Sequence, residues 1–349
     1  MSLSPLFRTV AQYAVGNPAP PPPGVDWQSI VDQAIRARVG PMVLRTIHEL
    51  APPAMVAQLE ERACRIAFEG LRILQERDQV LQALQDAKIG PVILLKGAVT
   101  GWLVYPDPIA RAMTDVDILV PMAQEKATAD TLVRFGYNPI DTHPNRPVSA
   151  RGVYERLFAR ELVVGRVLQP IDVHTGFAQS TRYPIPYDAV LQRAIPFEEG
   201  GPGAYRLDDV DHLLHMAIHM SRDQFLGPLK HLLDVHLWVQ RGGFCWDTLV
   251  ERAHRWGAAA AMATTLRLSA QVLESPIPTP VLQALHPSGV RGRFLRWWHR
   301  PTEERMVRWD VGIRAAQLMA LAPLMDQPTQ RARFLSEYVW LRSRDVLGH

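Results

Sequence analysis

Two short apolar runs in this chain carry acids that a folded core cannot leave bare. Met113-Thr-Asp-Val-Asp-Ile-Leu-Val120 holds Asp115 and Asp117, and Gln169-Pro-Ile-Asp-Val-His174 holds Asp172. Both runs are rich in aliphatic and β-branched residues and are short enough to be strands. A charge in such surroundings is costly unless it is paired or binds something. On a strand, residues two apart share a face. Asp115 and Asp117 are therefore expected to project together, with Val116 and Ile118 turned to the core. The same parity sets Asp172 with His174, opposite Ile171 and Val173. The chain needs a sheet whose neighbouring strands gather three carboxylates on one side.

Upstream, Val92-Ile-Leu-Leu95 reads as a buried strand, and Lys96-Gly97 follows it eighteen residues before Asp115. A glycine opening a helix lets backbone N–H groups approach a phosphate, and the helix terminus adds favourable charge. Lys96 and Arg111 are the cations placed to meet that phosphate. Three carboxylates brought together repel, and one takes up a proton unless divalent cations intervene. Mg2+ (or Mn2+) suits a few carboxylates plus phosphate oxygens and water. A pair of such ions about 3.5–4 Å apart activates an attacking oxygen and stabilises a leaving pyrophosphate. Strand, glycine turn, helix, carboxylate pair and a third carboxylate on a later strand is the layout of a metal-dependent nucleotidyl transfer site. Asp115 and Asp117 are the expected ligands beside the nucleotide phosphates. Asp172 is the expected ligand of the second ion and the group that helps deprotonate an acceptor hydroxyl. Taken singly, an Asp-x-Asp at a strand end is more often a solvated turn or an arginine partner. The order of all the parts separates the two readings.

Around this unit the chain reads as helical. Pro18-Ala-Pro-Pro-Pro-Pro-Gly24 cannot be helix. Asp26 looks like the N-cap of a helix through Arg38, and a short helix after Gly40-Pro41 runs to Leu50. A long helix after Pro52-Pro53 reaches about Lys88, with Leu71, Leu74, Leu81 and Leu84 as its apolar stripe. Strands are expected over 154–158, 162–168 and 171–174. After Gly200-Gly201-Pro202-Gly203 helices return over 208–220, 231–240, 246–256, 258–273, 305–321 and 330–346. The expected division is an N-terminal helical region at 1–89, an α/β core at 90–200 and a C-terminal helical domain at 201–349. At 349 residues, with 47% hydrophobic and 21% charged residues, the chain can bury a sizeable core without a staple. Cys64 and Cys245 form no Cys-x-x-Cys pair, which argues against a zinc knuckle and fits a reducing cytoplasm. No apolar run is long enough to span a membrane, so no membrane role is expected.

Leu94-Leu-Lys-Gly-Ala98, Tyr105-Pro-Asp-Pro108, Arg111-Ala-Met-Thr-Asp-Val-Asp-Ile-Leu-Val120 and Ile171-Asp-Val-His174 together resemble an uncharacterised nucleotidyltransferase family of the DNA polymerase β-like superfamily. The resemblance covers about residues 90–240 and extends to Leu213-Leu-His215, His219 and Leu229-Lys-His-Leu-Leu-Asp234. It implies an α+β fold, with a mixed sheet bearing the three aspartates between flanking helices. It also implies metal-dependent transfer of a nucleoside monophosphate. The superfamily's usual Gly-Ser is Gly97-Ala98 here, so Thr100 is the hydroxyl left to replace the missing serine. In the resemblance Lys230 faces the active cleft and touches phosphate; a surface pair with Asp234, one helical turn away, is the plain alternative.

His212, His215 and His219 share one helix, with no Glu after His215 to make a zinc motif. They are expected to line the nucleotide cleft or satisfy buried hydrogen bonds. Arg291-Gly-Arg-Phe-Leu-Arg-Trp-Trp-His-Arg300 could grip a nucleic acid, but reads better as a helix with tryptophan in the core and arginine snorkelling. The leading expectation is an enzyme that moves AMP from ATP to a hydroxyl or similar group on a small molecule, peptide or protein. Asp115→Asn or Asp117→Asn is then expected to abolish turnover and leave the fold intact. A non-catalytic nucleotide-binding partner in a biosynthetic or toxin–antitoxin assembly is the competing reading. A nucleic-acid-tailing enzyme is the third, although nucleic acid is not the expected partner.

Overall fold

The computed structural model describes residues 3–140, 155–160, 170–177, 183, 185, 187–301 and 321–336. Four helices lead: α1 (Pro5–Ala14), α2 (Trp27–Arg36), α3 (Gly40–Ile47) and α4 (Pro53–Asp86). Their starts follow local chemistry. Ser4 and Asp26 each accept a hydrogen bond from a backbone N–H three residues on. Pro5 and Pro53 sit in the first turn, where a missing N–H loses nothing. Gly40-Pro41 opens α3.

The apolar stripe expected on α4 is only half correct. Leu81 and Leu84 are buried, but Leu71 is exposed, and Glu76 and Arg77 lie inside. Tertiary partners explain the inversion. Glu76 accepts from the Tyr137 hydroxyl at 2.8 Å and from Arg160 at 2.6 Å. Its charge therefore fastens α4 to the sheet edge.

Among the described residues the sheet is mixed and seven-stranded, as an α+β fold requires. Its strands are β1 (Val92–Leu94), β2 (Val116–Leu119), β3 (Asn138–Ile140), β4 (Glu155–Ala159), β5 (Pro170–His174), β6 (Ile195–Pro196) and β7 (Ala204–Arg206), in the order β3-β4-β5-β2-β1-β7-β6. β2 pairs parallel with β5 and antiparallel with β1. Every residue of β1 and β2 is buried, as suits the centre of a sheet covered on both faces. β3, β6 and β7 were not expected from the sequence; each is two or three residues long, too short for a period to show. The strand expected over 162–168 lies outside the described residues, as do most of 305–321 and the end of 330–346.

Between the strands run α5 (Gly97–Val104), α6 (Glu125–Arg134) and α7 (Tyr187–Gln192). Further helices among the described residues include α8 (Asp209–Arg222), α9 (Lys230–Arg241), α10 (Trp246–Arg255), α11 (Ala259–Leu273), α12 (Thr279–Leu285) and α13 (Gly289–Trp298). Asp208 caps α8, and Arg252 of α10 binds Asp208 at 2.7 Å and Asp211 at 2.6 Å. This network ties the helix that carries three histidines to α10. Buried side chains from Leu3 to Phe334 form one continuous core. No described helix is long and apolar enough to cross a membrane.

Candidate active site

The register of β2 on β5 sets Asp117 directly opposite Asp172, and Leu119 opposite His174. In a parallel pair, residues in register point to the same side of the sheet. Oxygens of Asp117 and Asp172 and a ring nitrogen of His174 consequently lie within 4.8 Å of one another. All three residues are buried. Asp115 stands one residue ahead of β2, half-buried, and its charge is felt by both Asp117 and Asp172. The converging donor set is therefore Asp117, Asp172 and His174, with Asp115 beside it.

The two central carboxylates are in opposite states. Asp117 Oδ1 accepts from Lys96 Nζ at 2.5 Å and from the His174 Nε2–H at 2.8 Å. Burial works against its charge, but Lys96 and His174 outweigh burial and hold the carboxyl well below the usual range. Asp172 has no such support. Burial first, then the charges of Asp117, Glu155 and Asp115, push its carboxyl up to about 8. Its Oδ1 is buried and makes no hydrogen bond among the described residues. A buried polar atom left in this condition costs about 1–3 kcal/mol. Asp115 is raised too, by burial and by Asp117.

Lys96 reaches Asp117 from a strained backbone. It joins β1 to α5 with φ of 47° and ψ of −123°, a region a side-chain-bearing residue seldom enters. Gly97 follows, and the space its missing Cβ leaves is filled, because a Cβ built there would lie 2.0 Å from Arg111 Nη1. The glycine thus admits a guanidinium. That guanidinium is pinned: Arg111 donates to the two oxygens of Asp234 at 2.9 and 2.7 Å, and the Tyr105 hydroxyl donates to the same carboxylate at 2.8 Å. Arg111, expected at the triphosphate, is instead paired inside the protein. Gly97→Ala should accordingly lower stability by about 1–3 kcal/mol, read as a fall in melting temperature, because the pinned Arg111 cannot step aside freely. An unchanged melt would show that the pair yields.

Lys230 and Asp234 do not form the surface pair considered from the sequence. Both are buried, and Lys230 Nζ donates to the Ala112 carbonyl at 2.9 Å. Burial, then the charges of Arg111 and Arg38, bring its amine down to about 7. It braces the loop that carries Asp115. Thr100 is fully buried, and its hydroxyl donates to the Lys96 carbonyl at 2.8 Å while accepting from His212 Nε2 at 3.1 Å. This is an internal tie between α5 and α8, so the hydroxyl expected at phosphate is engaged elsewhere.

The histidines of α8 divide as their surroundings dictate. His212 stacks on Trp238 at 4.1 Å, and His215 sits edge-on to Phe177 at 5.0 Å. His219 lies 5.9 Å from the His231 ring and 3.9 Å from Asp223. Burial keeps all three neutral at ordinary pH. Among the described residues none of them joins a metal-ligating group.

One acid at the site had escaped notice in the sequence. Glu155 of β4 stands in register with His174, binds Arg222 at 2.7 Å, and contributes to the repulsion that keeps Asp172 protonated. Only the pairing of β4 with β5 brings it to the aspartates.

The chain belongs to the family described as uncharacterised nucleotidyltransferase, whose model matches residues 23–274. No curated protein and no solved structure was found to match it.

Proposed function

We propose that this family member transfers a nucleoside monophosphate, AMP from ATP, to a hydroxyl or similar nucleophile on a small molecule, peptide or protein, releasing pyrophosphate. The observation that carries this reading is the unsatisfied Asp172 oxygen beside a second carboxylate and an imidazole. Oxygen donors with one nitrogen fit Mg2+ or Mn2+. Asp117, Asp172 and His174 would hold such an ion, with Asp115 as the further carboxylate on the phosphate side. When bound, the ion supplies charge to the triphosphate and polarises the phosphoryl oxygen.

The protein's own groups account for the rest. Lys96 brings a cation to the edge of the cluster and keeps Asp117 ionised. Asp172, in its ionised form, takes the proton of the acceptor hydroxyl. Gly97 and the first turn of α5 offer backbone N–H groups to the phosphates. Arg111 and Lys230 hold the Asp115 loop in place from behind, and His219 lies on the helix that borders the cleft.

Incubation with each α-labelled triphosphate, Mg2+ or Mn2+ and cell extract, followed by mass spectrometry, tests the reading. Wild type should release pyrophosphate and yield a labelled product. Asp172→Asn should lose turnover by at least about 100-fold, corresponding to several kcal/mol of transition-state charge stabilisation. Triphosphate binding by calorimetry without pyrophosphate release would point instead to a nucleotide-binding partner without catalysis.

A further inference from the structure

Away from the aspartates, α1, α11 and α13 border an open cavity of about 560 Å³. Arg8, Arg267, Arg296 and Arg300 line it, and the one carboxylate among its lining residues is Glu274. That carboxylate is already engaged, since Gln12 Nε2 donates to Glu274 Oε1 at 3.0 Å. None of the four arginines has an acidic partner among the described residues. Arg267 is half-buried and donates only to neutral groups, the Gln271 amide oxygen at 3.1 Å and the His299 carbonyl at 3.0 Å. Arg296 contacts the His286 ring, which carries no negative charge. Burial, and then the nearby charge of Arg296, draw Arg267 down to about 10. The same cations press His286 towards neutrality after burial has begun to do so.

Arginines elsewhere in this protein are treated differently. Arg111 and Arg160 are matched by carboxylates, and Arg291, on the same helix as Arg296, is matched by Asp326 at 2.7 Å. A concave group of guanidiniums without counter-charge attracts an anion. Six of the ten lining residues lie outside residues 23–274, so the cavity is built largely from segments beyond the family match.

We propose that this cavity is a binding site for a small, multiply phosphorylated molecule, separate from the aspartate cluster. Its volume is that of a small-molecule site. The planar donor fork of arginine matches phosphoryl oxygens two at a time. One carboxylate or one phosphate on a ligand would leave most of the positive charge unmatched, whereas two or three phosphoryl groups would balance it. A nucleic acid backbone offers the same groups, but a space of about 560 Å³ matches a compact anion better than a strand.

Calorimetry with inorganic tripolyphosphate in EDTA, at physiological salt, tests this. EDTA removes the divalent cations on which binding at the aspartates would depend. Wild type should bind tripolyphosphate more tightly than inorganic phosphate. The variant with Arg296→Gln and Arg300→Gln, both exposed side chains, should bind at least about tenfold more weakly with an unchanged melting temperature. If the double variant melts early, Arg300→Gln alone should still weaken binding by about threefold. The proposal is overturned by absence of tripolyphosphate binding or by equal affinity in the arginine variants. Binding of a single-stranded RNA but not of tripolyphosphate would also overturn it and assign the cavity to nucleic acid.

Discussion

Asp172→Asn should make the cation-free protein more stable while removing its transfer activity. The unfolded carboxyl titrates near 3.8, and the folded one at about 8. Between those values the folded state keeps a proton that the unfolded state has released. Stability of the wild type therefore falls as pH rises from about 4 to about 8, then levels off. Asparagine has no proton to lose and shows no such fall. The difference between the two proteins should be small near pH 4 and grow to about 5 kcal/mol at pH 8. Thermal or denaturant melts across this window, in EDTA, check it. Added Mn2+ should narrow the gap at pH 8 by stabilising wild type alone. A gap that does not change with pH would mean that Asp172 is not held against its charge.

Asp117→Asn should act in the opposite direction. Asp117 is the acceptor for the largely buried ammonium of Lys96 at 2.5 Å and for His174 at 2.8 Å. Removing one partner of a buried pair leaves the other charge uncompensated, at about 3–5 kcal/mol. The expectation from the sequence, that this substitution would spare the fold, is thereby revised. The loss should be strongly non-additive: Lys96→Met in the Asp117→Asn background should restore much of the stability, because it removes the stranded cation. A double-mutant cycle on melting free energies reads this directly. Simple additivity would show that the pair contributes nothing to the fold. Asp117 and Asp172 are neighbours in register, yet their amide variants should shift stability in opposite directions. Lys96 accounts for the difference, since it binds one and not the other.

Much of the site was legible in the chain. Asp117, Asp172 and His174 were marked by charge within apolar runs, and strand parity alone placed Asp172 and His174 on one face. Lys96-Gly97 was marked by its place between a strand and a helix. The roles of Arg111, Thr100 and Lys230 were not legible. Each depends on a partner more than 100 residues away: Asp234 for Arg111, His212 for Thr100 and Ala112 for Lys230. Local sequence cannot tell a cation waiting for phosphate from one already paired. Glu155 and the arginine cavity were hidden for the same reason.

The sequence by itself determined where strands and helices could form and which acids would be trapped among apolar neighbours, because hydrophobic period and caps act within a few residues. The tertiary structure decided which trapped charges are neutralised. That outcome rests on side-chain distances of about 3 Å, where Coulomb and hydrogen-bond energies change most steeply, and such distances are set by strand register and helix packing.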